Sequence, residues 1–343
     1  MNVKVEFKIL KDAVTRILNC HGFSYDNALL ISESLVEAEA KGVTSHGISR
    51  LQSYITDIEN KILIPEATPK VISSAGAVTV IDGNNCSGII GGVCAANLTM
   101  HMARKYGVAF TTVRNIHHTG MLEYFTEIIS KNGLIGIAMC NAHPVVASPG
   151  GTRRIIGTNP ISFSCRGDEE QFNLDFAISE SSYGKIRIAL KDHEEIPATW
   201  AVNKEGRPTS RPEEAIEGAL MPSGGYKGFG LGMMVDIMAG LLSSSAAGPE
   251  VITWNNSRTK WNNGMLIIVV DYSFFATPGQ FKMNFDRYIQ NVRQRTSKHQ
   301  IPGDRRGAAY NSSIRNGISI SDEMIDELND MLKKCKIDLK LPN

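Results

Sequence analysis

The segment from Thr44 to Tyr54 carries the densest set of side chains that can do chemistry. His46, Arg50 and Tyr54 are spaced four residues apart, so a helix through them would place all three on one face. A proton-transferring imidazole, a forked cation and a phenol suit a small carboxylate with a carbonyl or alcohol beside it. Ser45 is expected to cap that helix. The alternative is a capped surface helix whose imidazole and guanidinium meet only solvent or a carboxylate.

Two adjacent imidazoles, His117 and His118, follow the apolar and β-branched run at 108–113. Ligands gather at the carboxyl ends of strands in α/β folds, so we expect an acid/base or substrate role for one of them. A structural role is the alternative. A metal would need further ligands, and no third His, Cys or paired carboxylate stands nearby at metal spacing. We therefore predict no metal.

A lone carboxylate, Asp175, stands between apolar residues at the end of a predicted strand. A buried carboxylate needs a partner, and an imidazole is the natural one. Asp175 is therefore predicted to pair with a histidine.

Three glycine-containing turns have the composition of phosphate sites. Residues 83–92 follow a predicted strand, but their first two glycines are too far apart for the dinucleotide fingerprint G-x-G-x-x-G. Residues 157–160 offer backbone amides and the hydroxyl of Thr158. Residues 224–230 place Lys227 at the start of an apolar helix, as in a pyrophosphate-binding turn, without the P-loop motif. A standard Rossmann site is not expected.

The elements that must position these groups change character along the chain. Apolar residues recur at helical spacing from Phe7 to about Ile62, which predicts three helices. Short apolar runs then alternate with helical patterns, and runs between 145 and 175 lie close enough to pair antiparallel. We therefore predict an α/β fold with a mixed parallel and antiparallel sheet covered by helices. Strands are predicted at 77–81, 108–113, 134–139, 161–164 and 265–270, and later helices at 91–106, 120–131, 226–243, 280–296 and 321–334.

The stretch 187–222 contains four prolines and little periodicity, which predicts a long functional or interface loop. The chain as a whole is electrically balanced, with 36 Lys and Arg against 35 Asp and Glu, so neither nucleic acid nor an anionic membrane is an expected partner. Six widely spaced cysteines without a C-x-x-C motif indicate free thiols in a reducing compartment and no structural zinc. The absence of a signal-like or membrane-spanning segment favours a cytoplasmic location.

In their order along the chain, these blocks resemble the second type of malate/L-lactate dehydrogenase family. That family also includes sulfolactate, ureidoglycolate, diketogulonate and cyclic-imine enzymes. The resemblance extends from near residue 7 to residue 318, and its motifs are more specific together than singly. The motifs S-H-G-x-x-R, N-x-x-H-x-G, G-T-N-P, L-D-x-A, G-G-Y-K-G-x-G-L and P-G-[ED] are represented by residues 45–50, 115–120, 157–160, 174–177, 224–231 and 302–304.

The resemblance implies a non-Rossmann NAD(P) domain and a homodimer whose active site lies between that domain and a helical part built from both termini. The implied division is a helical part at 1–75, a cofactor-binding domain at 76–279, and C-terminal helices at 280–343 that pack back on the first part. NAD is the expected cofactor, with NADP as the alternative.

The resemblance also implies roles for individual residues. His46 is implied as proton donor and acceptor with Ser45 and Asp175 as relay partners, Arg50 as the carboxylate clamp beside Tyr54, and His118 as the second acid/base candidate. The implied cofactor contacts are Thr158, Asn159, Pro160, Ile178, Ser179, Gly184, Tyr226, Lys227, Gly303, Asp304 and Arg305.

Three positions depart from the family pattern. His117 replaces a common Asn, while Ala142 and Ile178 each lack a hydroxyl that is common there. Such losses alter hydrogen bonding to the cofactor more than they alter the chemistry.

The sequence therefore predicts an enzyme that moves hydride between nicotinamide C4 and C2 of a small 2-hydroxy or 2-oxo acid. Malate and oxaloacetate are the first expected substrates, and lactate-like acids the second. A reductase of a diketo sugar acid or a cyclic imine is the alternative within the family. A hydrolase using Ser45, His46 and Asp175 is disfavoured because no G-x-S-x-G elbow is present. A binding protein without catalysis is disfavoured by the retained His, Arg, Asp and Lys residues.

Overall fold

The computed structural model describes residues 2–253, 259–296 and 301–342. The α-helices in these ranges confirm the three N-terminal helices and most of the later helical predictions. None of the described helices is long and apolar enough to cross a membrane. The helices are α1 (Phe7–Cys20), α2 (Tyr25–Ala40), α3 (Leu51–Glu59), α4 (Gly88–Tyr106), α5 (Glu123–Lys131), α6 (Tyr183–Asp192), α7 (Pro212–Glu217), α8 (Tyr226–Val235), α9 (Pro278–Arg295), α10 (Asp304–Asn316) and α11 (Asp322–Lys334).

All five predicted strands are present, and the described residues add several short ones. The strands are β1 (Asn2–Val5), β2 (Lys70–Ala75), β3 (Val78–Cys86), β4 (Val108–Ile116), β5 (Ile135–Cys140), β6 (Val146–Ala147), β7 (Arg154–Ile156), β8 (Ile161–Arg166), β9 (Gln171–Phe176), β10 (Ala201–Val202), β11 (Ala219–Leu220), β12 (Gly264–Val270) and β13 (Ile318–Ser321).

Seven strands form the main sheet in the order β2-β3-β4-β12-β5-β8-β9. The strands β3 and β4 run parallel, while β12 pairs antiparallel with β4 on one side and β5 on the other. Central β12 buries Met265, Leu266 and Ile267 completely, as expected for a strand covered on both faces. The prediction of a mixed α/β sheet is confirmed.

Helices α4 and α5 join the main sheet to the N-terminal helices through one continuous core. Leu35 of α2, Ile89 of α4 and Phe125 of α5 are fully buried in it. Gly92 allows the helices to approach closely, because a Cβ atom there would lie 2.5 Å from the Phe125 ring. This packing holds α2 and α3 beside the carboxyl end of β4.

A smaller sheet, in the order β10-β11-β6-β7, has its own core. The prediction of a long loop at 187–222 is wrong, since this stretch contains most of α6 together with β10, α7 and β11. Its core residues, including Ile196, Ala201 and Leu220, are too scattered in sequence to form a periodic pattern. They become a core only when these separate segments meet.

The two ends of the described chain pack together. Strand β1 pairs antiparallel with β13, and α1 contacts α11. Cys20 and Cys335 form a disulfide across 315 residues of sequence, so the expectation of free thiols is wrong for this pair. Cysteine spacing gives no signal for such a distant pairing. The division at residues 75 and 279 remains a proposal.

Candidate active site

A cavity of about 430 Å³ lies where the loops after α2 and β4 meet the start of α6. Its described lining contains three histidines, three arginines and no carboxylate, so its charge favours an anionic ligand. The sequence predictions found seven of the lining residues: Ser45, His46, Arg50, His118, Thr158, Pro160 and Gly184.

The loop before α3 differs from the predicted helix. Two 3₁₀ turns, Thr44–His46 and Ile48–Arg50, precede α3. The prediction that Ser45 caps the helix is wrong, because α3 begins at Leu51 after Arg50, with no side-chain cap. The prediction of one shared helical face is also wrong, since two of its three residues lie before α3. The loop itself brings the imidazole and guanidinium to the cavity.

Glu39, which the sequence predictions missed, holds this loop in place. Its carboxylate accepts the backbone N–H of Ile48 at 3.1 Å. It also lies so close to Gly47 that a Cβ atom there would meet Oε2 at 2.0 Å, which explains the need for glycine in this turn. Burial raises the pKa of Glu39 to about 7.

His46 presents one edge of its ring to this loop. Its Nδ1 lies 3.0 Å from Oγ of Ser45, and no hydrogen bond in the described part of the chain engages Nε2. Burial, together with the positive charges of Arg50 and Arg306, lowers the pKa of His46 to about 4. The ring is therefore neutral at pH 7 and ready to accept a proton from an alcohol.

His118 stacks beside His46, with ring centroids 5.5 Å apart and ring planes 19° from parallel. Its Nδ1 lies 2.8 Å from Oη of Tyr54, which is fully buried. Tyr54 therefore supports His118 from behind and does not line the cavity. Burial, followed by the charges of Arg50, His46 and His117, holds the pKa of His118 well below its usual range. His46, which is only half-buried, is the more readily protonated of the two.

The predicted pairing of Asp175 with a histidine is wrong. Its carboxylate accepts the backbone N–H of Glu123 at 3.1 Å and lies 3.7 Å from the guanidinium of Arg306. Burial raises the pKa of Asp175 to about 6, although Arg306 lowers it. Arg306 belongs to α10, a helix that the sequence pattern did not predict. Asp175 therefore has no hydrogen bond to His46 among the described residues and cannot orient its ring directly.

A buried ion network ties three helices together behind the cavity. Nζ of Lys41 lies 2.8 Å from Glu37 and 2.9 Å from both Glu123 and Glu127. Arg306 contacts the second oxygen of Glu123. Burial would lower the pKa of Lys41, but the three carboxylates raise it above its usual value. The network fixes α2, and with it the His46 loop, relative to α5 and α10.

His117 supports the cavity wall and does not line it. Its Nε2 lies 2.8 Å from a carboxylate oxygen of Asp57, and its ring stacks on Trp261 at 4.0 Å. Trp261 in turn lines the cavity. Within the described ranges, the one group of three potential metal ligands is Cys20, His21 and Cys335, at the disulfide rather than here.

Most of the predicted cofactor segments converge along β9 and its extension. The N–H of Ile178 donates to the carbonyl of Thr158 at 2.9 Å, and the N–H of Ser223 donates to Ile178 at 2.7 Å. Ser179 forms an isolated bridge with Pro222, next to the glycine-rich turn. At the other end, Gly303 packs against Asn173 of β9. Segments that are distant in sequence thus lie along one strand, and Thr158, Pro160 and Gly184 are the predicted cofactor residues that line the cavity.

Other side chains among the predicted cofactor residues differ in whether a ligand could reach them. Asn159 is buried and holds the turn itself, accepting from Ala142 at 3.1 Å and donating to Gly232 at 2.8 Å. Asp304 is ion-paired with Arg293. Tyr226, Lys227 and Arg305 are exposed.

The lining side chains that sequence reasoning missed include His143, Arg154, Arg187 and Trp261. Arg154 lies three residues before the turn at 157–160, and this proximity is the sequence signal that could have identified it. Arg187 fell in the stretch interpreted as a loop.

Comparisons with known proteins match nearly the whole chain to one family. The family model described as "Malate/L-lactate dehydrogenase" matches residues 5–329. The malate/(S)-sulfolactate dehydrogenase of Methanothermus fervidus is 30% identical over 329 residues, covering 96% of this chain and 97% of that protein. The NAD(+) ureidoglycolate dehydrogenase of Escherichia coli K12 is 28% identical over 348 residues, covering 99% of each chain. The solved structure of sulfolactate dehydrogenase from Methanocaldococcus jannaschii superposes with a TM-score of 0.93 at 28% identity and covers 98% of both chains.

Proposed function

The chain belongs to the malate/L-lactate dehydrogenase family, and we propose that it transfers hydride between a nicotinamide cofactor and C2 of a small 2-oxo or 2-hydroxy acid. Oxaloacetate and malate are the first proposed substrates, and lactate-like acids the second. The observation that carries the proposal is the pair of stacked imidazoles, His46 and His118, beside Arg50 in a cavity whose described lining has no carboxylate.

The residues present fit a nicotinamide cofactor. The hydroxyl of Thr158 lines the cavity and makes no hydrogen bond in the described part of the chain, so it is available to a carboxamide or phosphate. Gly184 leaves open space at the cavity, since a Cβ atom there would have no neighbour closer than 3.8 Å. Lys227 stands exposed at the start of α8, where a helix N-terminus and a cation favour a pyrophosphate. NAD is proposed first and NADP second.

When bound, the nicotinamide ring supplies or accepts the hydride at C4. Arg50 binds the C1 carboxylate of the substrate as a fork. His118, steadied by Tyr54, donates a hydrogen bond to the C2 oxygen. His46 gives that oxygen a proton in the reducing direction and takes it back in the oxidising direction.

A spectrophotometric panel tests the proposal. NAD(P)H absorbance is followed with oxaloacetate, pyruvate, sulfopyruvate, 2,3-diketogulonate and a cyclic imine, each with NADH and NADPH. Turnover of a 2-oxo acid supports the proposal. Turnover confined to the diketo sugar acid or the imine would replace the proposed substrate while keeping the reaction type, and no turnover with any of them would refute the proposal.

Lys227→Ala should weaken NAD(P)H binding, measured as the change in NADH fluorescence on titration with protein. We expect Kd to rise about tenfold, because the lysine is a point charge for a phosphate group. Exposed Lys185 provides a matched control as Lys185→Ala. If NADH affinity holds and only the KM of the 2-oxo acid rises, Lys227 belongs to the substrate site instead.

We propose that the chain forms a homodimer through the apolar face of α8 and the turns after it. Met233, Ile237 and Leu241, spaced four residues apart on this face, expose 47%, 52% and 58% of their surface. A contiguous apolar face of this kind marks an interaction site. A second copy is the proposed occupant, as the family resemblance implies. The cytoplasmic location stays a prediction.

The variant Ile237→Glu/Leu241→Glu should convert a dimer into a monomer, as measured by light scattering after size exclusion. Two carboxylates buried against an apolar partner surface would be unpaired. Phe275→Glu, at a residue 74% exposed outside this face, should leave the mass unchanged. A wild-type monomer, or a double variant that remains dimeric, would contradict the proposal.

A further inference from the structure

A second cluster of positive charge lines the cavity around Tyr183, at the start of α6. The guanidinium carbons of Arg154 and Arg187 lie 5.8 Å and 5.7 Å from the centre of the Tyr183 ring. Tyr183 and Arg187 are four residues apart on one face of α6, and all three side chains line the cavity. The sequence patterns assigned no role to Arg154 or Arg187.

The two arginines are held differently. Arg154 donates from Nε to the carbonyl of Gly218 at 2.7 Å and from a terminal nitrogen to the carbonyl of Ile216 at 2.5 Å. It also donates to the Tyr183 hydroxyl at 3.2 Å. Arg154 is therefore a fixed part of the wall. Arg187 is exposed and makes no hydrogen bond or ion pair in the described part of the chain, so its guanidinium is available to a ligand.

Neither arginine meets a carboxylate among the described residues, and the cations act on one another across the cavity. Burial lowers the pKa of Arg50; Tyr54 raises it, and the charge of Arg187 lowers it further. Burial, Arg154 and Arg187 lower the pKa of His143. Like charges left this close cost electrostatic energy that an anionic ligand would remove. One carboxylate at Arg50 would leave the charge near Tyr183 uncompensated.

We propose that Arg187 binds a second anionic group on the substrate, a C4 carboxylate or a sulfonate, while Arg50 binds the C1 carboxylate. Arg154 and Tyr183 position Arg187 and keep this end of the cavity positive. The inference rests on the proposed function and narrows its substrate to dianionic 2-oxo acids. Arg187 would then be the residue that makes the enzyme bind oxaloacetate and sulfopyruvate more tightly than pyruvate.

A phosphate group of the cofactor could supply the same anionic chemistry, so the test has one arm for each source. In the substrate arm, Arg187→Gln should raise KM for oxaloacetate and sulfopyruvate about 10- to 100-fold, because hydrogen bonds to charged groups are strong. KM for pyruvate should change less than about twofold. In the cofactor arm, Kd for NADH and NADPH should stay the same.

Two further variants sharpen the result. Arg187→Lys keeps the charge but loses the fork, so its KM for oxaloacetate should fall between wild type and Arg187→Gln. Lys191→Gln removes a positive charge one turn further along α6, where the lysine pairs with exposed Glu323. It should leave every constant unchanged.

Binding without turnover separates failure of this inference from failure of the proposed function. Calorimetry compares succinate with butyrate, unreactive acids of equal carbon number that carry two and one carboxylates. Wild type should prefer succinate, and Arg187→Gln should lose the preference even if no 2-oxo acid is reduced. An equal rise in KM for pyruvate and oxaloacetate, a loss confined to NADPH, or an unchanged preference for succinate would overturn the assignment.

Discussion

His46→Ala should lower kcat for reduction of the 2-oxo acid about 10²- to 10⁴-fold while NADH still binds with wild-type affinity. Hydride arriving at C2 leaves an alkoxide that must take up a proton. His46 lines that cavity, and its Nε2 has no hydrogen-bond partner in the described part of the chain. Single-turnover kinetics and NADH fluorescence measure the two quantities separately.

His118→Ala is the matched comparison and should cost less, about tenfold in kcat. Its ring is only 7% exposed and is fixed by Tyr54, so it is held as a hydrogen-bond donor and resists protonation. Asp175→Asn is the second comparison. Because Asp175 pairs with Arg306, its substitution should lower the melting temperature more than kcat. If His118→Ala is inactive while His46→Ala keeps near-normal kcat, the two histidines exchange roles.

The pH dependence of kcat/KM checks the same assignment, because it reports the proton state of the free enzyme. Oxidation of the alcohol needs neutral His46. Since its pKa is lowered to about 4, kcat/KM for oxidation should stay flat as pH falls from 7 to about 5 and drop only near pH 4. Reduction needs the protonated ring, so its kcat/KM should fall about tenfold per pH unit above that pKa. A midpoint near 6.5 in both directions would contradict the lowered pKa of His46.

The sequence predicts those parts of the fold whose signal is local. The continuous apolar run of β12 and the helical periodicity of α11 each lie within one segment, and both elements were found. Helix α10 was missed because it has no buried residue and is rich in Arg, Asn and Ser. The small sheet was missed because its strands β10 and β11 have only two residues each and are stabilised by distant partners.

The site residues also divide into those with a local sequence signal and those whose role depends on packing between distant segments. His46, Arg50 and His118 were identified because their spacing and motifs lie within short segments. The pairing of Asp175 was not, because whether a buried carboxylate meets an imidazole or a guanidinium depends on packing between β9 and α10. Arg187 was not identified because the role proposed for it depends on the lack of a carboxylate in the described lining of the cavity, which no local sequence pattern reveals.

Arg50→Lys should raise KM for oxaloacetate about 10- to 100-fold, with kcat and NADH affinity nearly unchanged. Nε of Arg50 donates to the carbonyl of Ser45 at 2.5 Å, so the guanidinium both anchors the loop that carries His46 and faces the cavity. A lysine keeps the charge, but it cannot hold that carbonyl and present a fork to a carboxylate at the same time. Steady-state kinetics measure KM and kcat, and fluorescence titration measures the affinity for NADH.

Arg104→Lys provides the control, since Arg104 is an exposed arginine that also donates to a backbone carbonyl, that of Asn132. Its KM should match wild type. Because Arg50 also holds the loop that carries His46, the change in KM must be compared with the change in kcat. A rise in KM alone assigns Arg50 to the substrate carboxylate, whereas an equal fall in kcat with unchanged KM would assign it to the loop. An unchanged KM removes Arg50 from substrate binding and would leave Arg187 as the cation to which a monocarboxylate must bind.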